Sequence, residues 1–203
     1  MTTGRYVTFE GIEGAGKSTV AALAAERLRD VGMSVVEVRE PGGTTAGEQI
    51  RSVLLDGDAH LEGWTEALLF AAARAQLAAE VIKPALMSGS WVVGDRSVYS
   101  SLAYQGGGRR LGIEAVEAIN RQGLGDVWPD HVVLLRIDAS TGLDRQDVED
   151  RIGSEGAEFQ SHVAEAFDLL AKLEPDRFTT VEASLPLDHV LDEVMRGLLG
   201  VSR

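Results

Sequence analysis

Residues 11 to 18 carry the clearest chemical signal in this chain. They read Gly-Ile-Glu-Gly-Ala-Gly-Lys-Ser, a complete G-x-x-x-x-G-K-[ST] pattern, between an apolar β-prone run (6–9) and a helix-like run (about 19–28). The glycines let backbone N–H groups turn onto phosphate oxygens, the lysine reaches the β- and γ-phosphates, and the serine ligates Mg²⁺. A surface glycine turn is the alternative, but the flanking strand and helix favour a nucleoside triphosphate site. The residues expected to bind the triphosphate are Gly11, Ile12, Glu13, Gly14, Ala15, Gly16, Lys17, Ser18 and Thr19.

Composition excludes several other kinds of site. The 203 residues are 44% hydrophobic and 25% charged, which is ordinary for one globular domain with a large core. The absence of cysteine excludes disulfides, thiolate catalysis and cysteine-based zinc sites. The four histidines are far apart in the sequence and form no ligand-spaced pair.

The charge balance also restricts the partners. A net charge of −13 opposes non-specific binding to nucleic acid or anionic lipid. The N-terminus has no basic segment followed by an apolar run, and no run approaches the ~18 residues that span a bilayer, which predicts a cytoplasmic protein. Because the chain has only three lysines, arginines must supply most of the positive charge of a phosphate site.

Strand-like and helix-like runs alternate through the chain, as is typical of a doubly wound α/β domain with a parallel sheet. The predicted strands are 6–10, 35–39, 91–95, 131–137 and 179–182. The predicted helices are 18–31, 45–55, 65–83, 113–122, 158–173 and 187–199, with Pro84 expected to end or kink the third. No linker or repeat interrupts the pattern, so we expect a single domain. Ligands should bind beyond the carboxyl ends of the strands.

Charged residues follow two of these strands. Arg39, Glu40 and Pro41 follow the second strand, where a plain turn and a phosphate- or sugar-binding role fit equally well. Asp95 and Arg96 follow the third, where the carboxylate suits Mg²⁺ and the guanidinium suits an acceptor phosphate. A surface ion pair is the alternative for the second set, but its position at a strand end favours function.

Two further clusters are less specific. Phe70 and Arg74 share a helix face and are candidates for stacking on a base and bonding its edge. The pattern alone favours core packing for the aromatic ring and a solvated guanidinium. A polar helical cluster precedes a glycine run (106–108) that we interpret as mobile; its members are Ser100, Ser101, Tyr104 and Gln105.

Taken together, six segments resemble bacterial thymidylate kinases in order and spacing. They are residues 9–19, 39–44, 50–55, 66–74, 81–86 and 94–109, and the resemblance extends over most of the chain. It implies a P-loop NTPase-type three-layer α/β domain, with a five-stranded parallel sheet, helices on both faces and a short lid. It further implies phosphorylation of dTMP to dTDP with Mg-ATP, supply of dTTP for DNA replication, and a homodimer.

The resemblance also implies roles for individual residues. Phe70 stacks on thymine and Arg74 bonds its edge, while Gln105, Ser100 and Ser101 complete base and sugar recognition. Glu13 and Tyr104 lie near the sugar, Arg96 grips the dTMP phosphate, and Asp95 organises Mg²⁺ together with Ser18. The same region is implied to contain Arg39, Arg51, Glu40 and Pro41, the last after a cis peptide bond.

The lid, expected at residues 144–159, departs from the family pattern. Family members place an additional arginine either in the phosphate loop or in the lid, and this loop has none. Residues 144 to 158 contain six acids and two arginines, and Gly153 stands where glutamate is usual. Arg151 is the first candidate for the catalytic lid arginine and Arg145 the second.

Two alternatives stay open on the sequence. A kinase for another small molecule is one, although Phe70, Arg74 and Gln105 together suggest a pyrimidine reader. A nucleotide-binding paralogue without catalytic activity is the other, and the altered lid is its support. A GTPase switch is not supported, because its Asn-Lys-x-Asp motif is missing around Asn120.

Overall fold

The computed structural model describes residues 4–56, 60–145 and 151–200. Part of the predicted lid, residues 146–150, lies outside these ranges. The described strands are β1 (Tyr6–Glu10), β2 (Val35–Arg39), β3 (Trp91–Asp95), β4 (His131–Arg136) and β5 (Phe178–Glu182). The described α-helices are α1 (Lys17–Asp30), α2 (Thr45–Leu55), α3 (Gly63–Leu77), α4 (Lys83–Met87), α5 (Val98–Ser101), α6 (Ile113–Leu124), α7 (Ala139–Asp144), α8 (Gly156–Leu173) and α9 (Leu187–Leu199).

The five strands form one parallel sheet in the order β2-β3-β1-β4-β5, which confirms the predicted fold class. Phe9 and Arg39 both pair with Asp95 across neighbouring strands. Parallel strands end at the same edge of a sheet, so the phosphate loop after β1 lies beside the charged residues that end β2 and β3.

Alternate residues of the strands pack into different cores, because successive side chains point to opposite faces of a sheet. Val133 and Leu135 pack in the cluster that contains α1 and α9. Val132 and Leu134 pack in the cluster that contains residues of α5, α6 and α8. Helices therefore cover both faces, which explains why every residue of β1 is buried. In the described ranges, no helix has the length and apolar character needed to cross a membrane.

The long third helix differs from its predicted form. Instead of one helix over 65–83, α3 leads into a π-helical segment, Ala78–Ile82, and then into α4. Pro84 lies in the first turn of α4, where a missing N–H is tolerated, and the wider turn ahead of it absorbs the change of register. Pro84 therefore does not end the helical run, which continues to Met87.

The glycine run after α5 is packed, so its interpretation as a mobile segment is wrong. A second π-helical segment, Leu102–Gly108, contains it. A Cβ atom on Gly107 would lie 2.5 Å from the Cβ atom of Ala166, and one on Gly108 would lie 2.6 Å from Cε2 of Phe159. These glycines let the segment approach α8 closely.

Candidate active site

The phosphate loop has the backbone that its sequence predicts. Gly11, Gly14 and Gly16 have φ angles of 144°, 71° and 82°, which residues other than glycine rarely adopt. The last of these is the residue before α1, so the loop opens directly onto the N-terminus of that helix. The buried Lys17 Nζ donates to the carbonyl of Ile12 at 2.7 Å. The side chain of Lys17 therefore folds back over the phosphate loop, as expected from the motif.

The charge of Lys17 is sensitive to pH. Burial lowers the pKa of Lys17 to about 8, and the positive charge of Arg96 adds to this effect. The carboxylates of Glu13 and Asp95 act in the opposite direction. The ammonium group is consequently charged at pH 7 and loses its proton above pH 8.

The two predicted magnesium ligands lie together. Ser18 Oγ donates to Asp95 Oδ2 at 2.5 Å. Protein-bound Mg²⁺ is commonly held by one or two such oxygens plus substrate phosphates, so this pair fits the ion. Within residues 4–56, 60–145 and 151–200, no cluster of three or more acidic, histidine or cysteine side chains is arranged to hold a metal. An ion at this pair would take its further ligands from water and from nucleotide phosphates.

An open cavity of about 420 Å³ lies next to this pair. All twelve residues predicted to bind the substrate line it, together with Lys17, Asp95 and Arg145. Arg151 is not among the lining residues. Gly11, Ile12 and Ala15 are also not in the lining and belong to the body of the loop. The peptide bond between Glu40 and Pro41 is cis, as the resemblance implies.

Arg96 is the central cation of the cavity. Its φ of 73° is unusual for a residue with a side chain and costs on the order of 1 kcal/mol. Its guanidinium forms an ion pair with Glu13, donates to Ser100 Oγ at 3.2 Å, and lies 5.1 Å from the ring centroid of Tyr104. Three side chains thus fix the guanidinium beside the phosphate loop.

Glu13 is ionised at neutral pH. Burial alone would raise its pKa, but the charges of Arg96 and Lys17 and a hydrogen bond from Tyr104 lower the pKa of Glu13 to about 2. The Tyr104 hydroxyl donates to Glu13 Oε1 at 3.2 Å. A carboxylate from the phosphate loop therefore faces the cavity beside Tyr104, the residue with which the resemblance groups it, and is also paired with Arg96.

Glu10 is a site residue that sequence reasoning missed. It is fully buried at the end of β1, and its two carboxylate oxygens accept hydrogen bonds from Ser97 Oγ and Ser100 Oγ, each at 2.6 Å. Burial raises the pKa of Glu10 to about 7, although both hydrogen bonds oppose the rise. Ser100 Oγ also accepts a hydrogen bond from Arg96, so Glu10 helps to hold the Arg96 guanidinium in place through Ser100. The sequence signal that could have identified Glu10 is a carboxylate at the end of an otherwise apolar strand.

Arg74 is anchored in the floor of the cavity, so the solvated guanidinium favoured by the pattern alone is wrong. Its side chain is 2% exposed. Nε donates to Glu40 at 2.6 Å, Nη1 to Asn120 Oδ1 at 2.6 Å, and Nη2 to the carbonyl of Ser97 at 3.1 Å. Burial raises the pKa of Glu40, while Arg74 opposes the rise. Phe70 also lines the cavity and packs against the core.

The two candidate lid arginines lie in different places. Arg145 lines the cavity and donates from Nη1 to the carbonyl of Ala183 at 3.2 Å. Arg151 donates from Nε to the carbonyl of Leu54 at 2.9 Å, and its Nη1 lies 2.8 Å from a carboxylate oxygen of Glu66. Of the two candidates, Arg145 lies in the cavity lining and Arg151 lies outside it.

Known proteins resemble this chain over most of its length. The family model described as thymidylate kinase matches residues 9–194. A thymidylate kinase from Pelobacter propionicus is 42% identical over 97% of this chain and 94% of its own length. One from Thermomicrobium roseum is 45% identical over 93% of this chain and 91% of its own.

Solved structures give the same result. A crystal structure of thymidylate kinase from Ehrlichia chaffeensis superposes with a TM-score of 0.79 at 32% identity. The match covers 96% of this chain and 98% of that one. The family model, the relatives and the fold agree over nearly the whole length, and the chain therefore belongs to the thymidylate kinase family.

Proposed function

We propose that this chain transfers the γ-phosphoryl group of ATP to dTMP, with the donor on the phosphate loop and the acceptor in the adjoining cavity. Family membership makes the chain a nucleoside monophosphate kinase that phosphorylates dTMP and so supplies dTTP synthesis. The observation that carries the residue assignment is geometric. The phosphate loop, the Ser18–Asp95 pair and Arg96 all face one cavity.

On the donor side, the backbone of the phosphate loop and Lys17 would hold the β- and γ-phosphates. Ser18 and Asp95 would hold Mg²⁺, which offsets negative charge on the phosphates. We assign Arg145 as the lid arginine because it lines the cavity. Arg151 stays with Glu66 in this assignment.

On the acceptor side, Phe70 would stack on thymine, with Arg74 and Gln105 bonding its edge. Arg96 would take the dTMP phosphate in exchange for Glu13. The attacking oxygen already belongs to an anionic phosphate, so no strong general base is needed. Alignment of two anions and neutralisation of their charge are the main tasks of the protein.

The test is an ADP-release assay with Mg-ATP across a panel of nucleoside monophosphates. We expect dTMP to be turned over fastest, dUMP more slowly, and dAMP or dGMP far more slowly. Arg145→Ala should lower kcat on the order of 10³-fold, whereas Arg151→Ala should have a smaller effect. Equal rates with all monophosphates would reject the assignment of dTMP, and the reverse order of the two variants would reject Arg145.

We also propose a homodimer joined through α2 and α3. Trp64 and Leu68 lie one turn apart on α3 and are 44% and 54% exposed, and Val53 on the adjoining α2 is 47% exposed. Exposed apolar side chains on two helices that pack against each other favour a protein partner. Light scattering should give twice the chain mass, and Leu68→Glu should give a monomer. A monomeric parent chain would reject the dimer.

The proposal extends to the organisation of the chain. One kinase domain would carry its lid at 144–159, and the reaction would take place in the cytoplasm with its nucleotide substrates. Limited proteolysis tests the first point, since cleavage should concentrate in the lid and slow when ATP and dTMP are added. Cell fractionation tests the second.

A further inference from the structure

Glu66 is a buried carboxylate that the phosphate chemistry does not use. It lies on α3, and its side chain is 1% exposed. Burial favours the neutral acid, but hydrogen bonds from Arg109 and Gln105 outweigh burial and lower the pKa of Glu66. A carboxylate that stays charged in such a position needs several donors, and the identity of those donors suggests its role.

One group of donors belongs to the acceptor side of the cavity. Gln105 Nε2 donates to Glu66 Oε1 at 2.8 Å, and Gln105 and Phe70 both line the cavity. The amide that is proposed to read the base is therefore held by Glu66. The neighbouring Tyr104 faces Glu13, so both residues of this short segment contact the acceptor side.

The other donors belong to the lid and the residues that pack on it. Arg151 Nη1 lies 2.8 Å from Glu66 Oε2, and Arg109 Nη2 donates to the same oxygen at 3.1 Å. Arg109 also forms an ion pair with Glu155 and lies 4.8 Å from the ring centroid of Phe159. Residues 151–159 are thus tied to α3 through one carboxylate and two arginines.

We propose that Glu66 is a positioning residue that couples the acceptor side of the cavity to the second half of the lid, residues 151–159. This inference rests on the proposed dTMP kinase activity. Gln105 and Arg151 bond the two oxygens of one planar carboxylate. When Gln105 shifts onto a base, the carboxylate turns with it, and the oxygen that bonds Arg151 changes position. Binding of the acceptor nucleotide is in this way transmitted to the segment that ends the lid.

A double-mutant cycle tests the coupling directly. Gln105→Ala, Arg151→Ala and the double variant are compared by kcat/KM for dTMP at saturating Mg-ATP. Because both side chains act through Glu66, we expect their effects to be non-additive, by on the order of fivefold in the parent background. In a Glu66→Gln background the same two changes should be additive. Additive effects in the parent background would overturn the proposal, whether or not Glu66→Gln folds.

Three controls separate coupling from loss of structure. Glu117→Gln removes a carboxylate from an exposed ion pair with Arg121 and should leave kcat/KM unchanged. Glu66→Asp keeps the charge and should keep part of the non-additivity, and thermal unfolding shows whether each variant is folded. A parent enzyme that does not phosphorylate dTMP would reject the proposed function instead. An active parent with additive effects would reject only the role of Glu66.

Discussion

Glu10→Gln should make the protein more stable at pH 8 relative to the parent. The carboxylate of Glu10 is fully buried, and the pKa of Glu10 rises from its ordinary value of 4.5 to about 7. Burial is the main cause, while Ser100, Ser97 and Arg96 act against it. Glutamine keeps the shape and hydrogen-bonding capacity of the protonated acid, and both serine hydroxyls can rotate to accept from its amide group.

The sign and size of the effect follow from proton linkage. The folded chain holds the Glu10 proton more tightly than the unfolded chain between pH 4.5 and 7. The stabilising contribution of this protonation is therefore complete below pH 4.5 and is lost as the pH rises through about 7. A shift of this size corresponds to about 3 kcal/mol in the free energy of unfolding.

Urea unfolding from pH 5 to pH 8 measures this contribution. The difference in unfolding free energy between Glu10→Gln and the parent should grow by about 2 to 3 kcal/mol in favour of the variant. Subtraction cancels the titration of groups common to both proteins. Glu117→Gln, at a half-exposed position outside the cavity, is the matched control for removal of a carboxylate. If the parent instead gained stability over Glu10→Gln as the pH rose, Glu10 would be an ionised group stabilised by its neighbours, and the reasoning would be wrong.

The further predictions concern the phosphate loop and the residues beside it. Lys17→Ala should lower kcat at least about 10²-fold, and the ATP affinity of the parent should weaken as the pH rises through about 8, both measurable by steady-state kinetics. Asp95→Asn should raise the Mg²⁺ concentration for half-maximal activity about tenfold in a magnesium titration, with no comparable change for Asp168→Asn on the surface. Gly142→Ala should weaken ATP binding in calorimetry although alanine favours helix, because its Cβ atom would lie 2.4 Å from the carbonyl oxygen of Glu13. Unchanged ATP affinity in Gly142→Ala would show that the loop can move away.

The sheet was predictable because its strands are covered on both faces. Such strands appear in the sequence as short apolar runs, and the bounds of β1, β2 and β3 agree with the predicted ranges. The start of α2 was predictable for a local reason, since Thr44 caps it by accepting from the N–H of Gly47 at 3.0 Å. Burial pattern and capping are both properties of neighbouring residues.

The π-helical segments could not be predicted in the same way. The turn over Leu102–Gly108 depends on the close approach of α8, which is distant in the sequence. The glycines signalled a special backbone, but they fit a mobile loop and a packed helix equally well. Tertiary contact decided between the two.

The candidate site shows the same division between local and distant information. Cavity residues of the phosphate loop and at the ends of β2 and β3 could be identified from a motif or from their position, whereas the helical ones, such as Phe70 and Gln105, were identified only through the family resemblance. Glu10, Glu66 and Asn120 hold those residues in place, and they bond Ser100, Gln105 and Arg74 across long stretches of chain. A polar residue in an apolar run is visible in the sequence, but its partner is not.

The electrostatics of the cavity explain how an acidic chain can hold two nucleotides. Six cationic and three acidic side chains are found among the described residues that line it, although the net charge of the chain is −13. Two of these cations are paired with acids of the same lining, Arg96 with Glu13 and Arg74 with Glu40. Arg74 is buried and donates three hydrogen bonds, so an incoming phosphate cannot displace Glu40 from it without disturbing the floor of the cavity. Arg96 borders the phosphate loop and pairs with an acid from that loop. We therefore expect a carboxylate to be exchanged for the acceptor phosphate at Arg96 rather than at Arg74.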